Sequence, residues 1–176
     1  MASTPEDPDQ PVLTPLAALT SSFVTEQSVY GVILVSGMIV VSGAGDPTSL
    51  SVFIVVVSTV VVFWGAHVYA ATVAGHGFGR DARPLSHAFR RAVRQSNGLL
   101  VSALIPCAIL LLGTARLVDD QLAIWAALLS GTVLLAALGW IAFRRRGASV
   151  ARSLAGSAMT AAFGAVMALL KVIVVH

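Results

Sequence analysis

Five apolar runs, at about residues 28–42, 50–75, 98–118, 122–143 and 153–175, take up most of this 176-residue chain. Most approach or exceed the roughly 20 residues a helix needs to cross about 30 Å of hydrocarbon. A backbone in hydrocarbon must satisfy its own N–H and C=O groups, so such runs are expected to be helices. Composition agrees: 57% of residues are hydrophobic and 11% charged, against about 25% charged in a soluble domain. The expected fold class is all-α: a polytopic transmembrane bundle of about five spans, with one interfacial amphipathic helix.

Between the runs the chain changes character. Residues 1–13 hold Pro5, Pro8 and Pro11 with Glu6, Asp7 and Asp9 and are expected to form a disordered tail. Residues 14–176 are expected to form one transmembrane domain, with helical pattern starting at Thr14. Gly43, Gly45, Asp46 and Pro47 predict a tight turn, and Gly147 predicts a helix C-cap after Arg144, Arg145 and Arg146. Pro106 is expected to kink the third span. After Pro84, residues 84–95 place Leu85, Ala88, Phe89, Ala92 and Val93 on one helical face. Ser86, His87, Arg90, Arg91 and Arg94 take the other, which predicts a helix lying at the interface with its arginines on anionic lipid headgroups.

Nine of the eleven basic residues lie in the segments after the second and fourth runs, whereas the turns after the first and third carry Asp46, Asp119 and Asp120. The positive-inside rule then predicts a multi-pass protein with a cytoplasmic N-terminus and an extracellular C-terminus. The basic balance, pI about 9.8, is explained by topology and calls for no nucleic acid. The N-terminus lacks the positive region of a secretory signal. Cys107 is the only cysteine, which excludes an intrachain disulfide or a cysteine metal site.

Ionisable groups inside spans are costly and each needs a reason. Glu26 and Tyr30 share a helix face, and His67 is expected at a similar depth to Tyr30, so Glu26, Tyr30 and His67 are the candidate proton or cation site. Trp64 and Tyr69 are its supporting aromatics. The alternative is a purely structural polar anchor between the first two spans. Whether a metal is involved is left open. Lys171, about 25 Å from Glu26 along the membrane normal by helix rise, is expected to snorkel outward or meet Asp46, Asp119 or Asp120. Gly156, Thr160, Gly164 and Ala168 form a small-residue stripe for close helix packing, within the chain or between copies.

No HExxH, GxSxG, P-loop or dinucleotide fingerprint occurs, so enzymatic activity is not expected, no catalytic residue is assigned and no cofactor is predicted. The phrases Glu26-x-x-x-Tyr30-Gly31, Trp64-x-x-His67-x-Tyr69 and Lys171-x-x-x-x-His176 resemble features of small integral membrane proteins from high-GC Gram-positive bacteria, a family with no assigned activity. The resemblance implies a bacterial plasma membrane and no mechanism. Two functions are expected from these features. One is a transporter or channel for protons or cations at the polar cluster. The other is a structural or accessory subunit, possible as a homo-oligomer, that binds a partner membrane protein or anionic lipid.

Overall fold

A computed structural model describes residues 26–76 and 85–175. The tail 1–13, the helical stretch expected from Thr14 and residues 77–84 lie outside the described residues. Five helices follow in order: α1 (Glu26–Ser42), α2 (Ser49–His76), α3 (Leu85–Thr114), α4 (Asp120–Arg145) and α5 (Val150–Val175). No strand occurs among the described residues. Four helices, α2 to α5, are long and apolar enough to cross a membrane, while α1 is an apolar helix of 17 residues. Apolar side chains also cover the outside: Val62, Met159 and Leu117 are each more than two-thirds exposed. This surface suits lipid and not water.

Local chemistry sets each helix end. Gly45 has φ +79° in the α1–α2 turn, and Thr48 opens α2 by accepting the Ser51 N–H at its hydroxyl. The Asp119 carboxylate caps α4 by accepting from the N–H groups of Gln121 (3.0 Å) and Leu122 (3.3 Å). Gly147, φ +70°, follows α4, with Ala148 N–H donating to the Phe143 carbonyl and Gly147 N–H to that of Arg144. This is the paired bonding of a Schellman cap. The same pattern ends α3, but there Arg116 occupies the left-handed position at φ 56°, where a glycine would be less strained.

The basic segment is helical, as its periodicity predicts, but it is not a separate interfacial helix. It forms the first turns of α3, continuous through Asn97, Gly98 and Pro106 to Thr114. Its apolar stripe accounts for this: Ala88, Ala92, Ser96 and Leu99 are buried, with Ala88 close to Gly75 of α2 and Leu99 close to Gly31 of α1. That face continues the packed face of the span below it, so no break is needed at Asn97. Pro106 lies inside α3 without ending it.

The helices run antiparallel in sequence. The α1–α2 and α3–α4 turns meet at one end, where the Asp120 carboxylate accepts the backbone N–H of Ser49 at 2.9 Å. We call this the aspartate end; the opposite one, with the α3 N-terminus and the α4–α5 turn, is the arginine end. α1 contacts all four other helices. Its Val35, Ile39 and Val40 join Val52, Val56 and Val60 of α2, Ala103 and Leu110 of α3, and Ile124, Ala127 and Leu128 of α4 in one apolar core.

Close approach depends on small residues. A methyl group on Gly131 of α4 would fall 2.5 Å from Ser36 Oγ of α1, and one on Gly164 of α5 would fall 2.7 Å from Thr132 Cα of α4. The second neighbour is backbone and cannot rotate away. Gly164→Val should therefore separate α4 from α5 and lower stability by about 1–3 kcal/mol, read as a drop in thermal unfolding temperature of the purified protein in detergent. Arg116→Gly should raise it by about 1 kcal/mol.

Candidate functional site

Of the three polar residues expected to converge, two do. Tyr30 of α1 and His67 of α2 have ring centroids 6.0 Å apart, and Phe63 completes a three-ring cluster at 5.7 Å from Tyr30 and 5.3 Å from His67. Phe63 and His67 are one helical turn apart on α2, so the ring of Tyr30 meets both. Tyr30 is 46% exposed and His67 half-buried, which puts the cluster on the outer surface of the bundle rather than in its core. Glu26 is exposed and lines another feature, a cleft of about 330 Å³ with Leu138, Phe143, Arg146 and Thr160. It faces the arginine-end turns of α4 and α5.

The supporting aromatics divide similarly. Trp64 is half-buried, and its indole N–H has no partner, while Tyr69 is 73% exposed. Both line an apolar groove of about 290 Å³ with Gly65, Val68, Thr72 and Phe89. The small-residue stripe faces α4. Gly156 lies against Phe143, Thr160 against Gly139 and Gly164 against Thr132, while Ala168 packs on the apolar core.

Arg90, Arg91 and Arg94 are exposed on α3 and border an open cleft of about 700 Å³ with His87, Phe89 and Val93. Arg144 to Arg146 and Arg152 stand exposed at the same end. Among the described residues, no three His, Cys, Asp or Glu side chains cluster as a metal would require.

Lys171 departs most from expectation. It does not snorkel outward: its side chain is 1% exposed and Nζ has no hydrogen-bond partner. The amine lies 5.0 Å from the centre of the Trp125 ring and so close to Gly43 that a methyl group there would approach it to 3.0 Å. Gly43 follows the C-terminus of α1, the negative end of that helix's dipole. The dipole and the indole face both favour a cation. The signal was present in the sequence, because Gly164, Ala168 and Lys171 fall at i, i+4 and i+7 on one face. A lysine that continues a packing stripe is directed inward with it.

The chain matches no family model, no curated protein and no solved structure with which it was compared.

Burying an ammonium without a hydrogen bond costs several kcal/mol, more than the roughly 0.5–2 kcal/mol that a ring face or a helix terminus returns. Lys171→Met keeps the packing stem and removes the amine. It should raise the unfolding temperature in detergent; a fall would mean that the amine makes a net favourable contact with Trp125 and the end of α1.

Proposed function

We propose that this protein is a structural or accessory subunit of a bacterial plasma membrane, and that its arginine end faces the cytoplasm and engages anionic lipid. One observation carries this reading. Apart from Lys171 the packed core is apolar, sealed by glycine, serine and alanine contacts, while the exposed basic side chains Arg90, Arg91, Arg94, Arg144 to Arg146 and Arg152 gather at one end. A bundle of this design supplies adhesion at a rim. The positive-inside rule supports the orientation. In this reading the protein carries no catalysis and needs no cofactor.

A second reading, transport of a proton or cation, draws support from the Tyr30–His67 ring contact at 6.0 Å, since a phenol and an imidazole both offer groups that exchange protons. The two separate in one experiment. Protein reconstituted into sealed vesicles and given a proton, sodium or potassium gradient is expected to collapse none of them faster than empty vesicles do. Flux that His67→Ala abolishes, with the protein still folded and inserted, would transfer the assignment to transport.

A further inference from the structure

The apolar groove and the basic cleft meet at one residue, Phe89, which lines both. Their placement along the bundle is set by helix rise. Trp64 lies about 22 Å and Thr72 about 35 Å from the Ser49 end of α2. Arg94 and Arg90 lie about 30 and 36 Å from the Thr114 end of α3. For a hydrocarbon layer of about 30 Å starting at the aspartate end, the groove begins inside the layer. It then runs to the boundary where the arginines stand.

The two parts differ chemically in the same order. The groove is walled by Trp64, Val68, Tyr69 and Phe89, with Gly65 leaving space where a side chain would otherwise stand. The cleft presents Arg90, Arg91 and Arg94 beside His87, and guanidinium groups pair with phosphate oxygens through paired N–H donors. An apolar slot whose inner end lies in the hydrocarbon, beside a cationic cleft at headgroup depth, has the polarity of one amphiphile.

We propose that α2 and α3 form a binding site for one anionic phospholipid, one acyl chain in the Trp64–Phe89 groove and the phosphate among Arg90, Arg91 and Arg94. The site gives the lipid-engaging reading above its location, and it rests on that reading. A zwitterionic lipid fills the groove equally well but brings no net charge to the arginines, so selectivity comes from the cleft and depth from the groove.

Trp64 reports on the groove directly once Trp125→Phe and Trp140→Phe remove the other indoles. The protein is placed in phosphatidylcholine bilayers containing a minor fraction of bromine-labelled acyl chains, carried either by phosphatidylglycerol or by phosphatidylcholine. The site requires stronger quenching of Trp64 by the labelled phosphatidylglycerol at equal fraction. Each of Arg90→Gln and Arg94→Gln should weaken that preference about fivefold, while Arg152→Gln, outside the cleft, should leave it unchanged. A Cβ on Gly65 meets no neighbouring atom within 4 Å, so Gly65→Leu should fold normally and reduce quenching by filling the groove.

Equal quenching by the two headgroups would reduce the groove to ordinary lipid contact and overturn the site. Absence of quenching by either would mean that protein covers the groove, from a partner or a second copy, and would overturn it too. So would a preference lost equally in Arg152→Gln, which would assign it to diffuse surface charge. The vesicle flux experiment is independent: the site can fail while the membrane stays sealed, and a conducting protein can still select the lipid.

Discussion

Close contact between helices depends here on α1 and α4, each of which touches all four of the others. Lipid tails are as apolar as the side chains they would replace, so the hydrophobic effect does little to hold helices together inside a membrane. Dispersion must do it, and dispersion requires near approach. Gly31 against Ser102 and Leu99, Gly131 against Ser36, and Gly164 against Thr132 supply that approach at successive levels. The valines, isoleucines and leucines of the core then fill what remains between the backbones.

This arrangement determines where polar chemistry resides. At the aspartate end, Asp119 caps its own helix and Asp120 accepts from the first N–H of α2. Two carboxylates thus satisfy two positive helix termini. At the arginine end, the first turns of α3 carry Arg90, Arg91 and Arg94 as exposed side chains. Among the described residues, Lys171 alone is a buried charged side chain, and it lies toward the aspartate end, beside Gly43. It is held where a helix C-terminus and an indole face partly compensate it.

The helical boundaries were closely legible because they rest on local chemistry. Runs at 28–42, 50–75, 122–143 and 153–175 became helices within a few residues of those limits. Gly45 and Gly147 took the positive φ expected of them. The third span was misjudged at its start for a physical reason. Asn97 and Gly98 are weak helix formers, which reads locally as a boundary, but tertiary packing of Ser96, Gly98 and Leu99 outweighs propensity there.

The sequence by itself determined that the chain is helical, that it belongs in lipid, and that most of its basic residues gather at one end, because hydrocarbon length, backbone satisfaction and charge placement act on each segment separately. Only the tertiary structure decided which polar groups meet. Glu26 and Tyr30 share a helix face, yet Tyr30 contacts His67 while Glu26 lines a cleft with α4 and α5. Lys171, near a helix end from which it could have reached water, is enclosed instead. The rotation of one helix against its neighbours sets both outcomes, and that rotation follows from how glycine and serine contacts on several helices fit together at once.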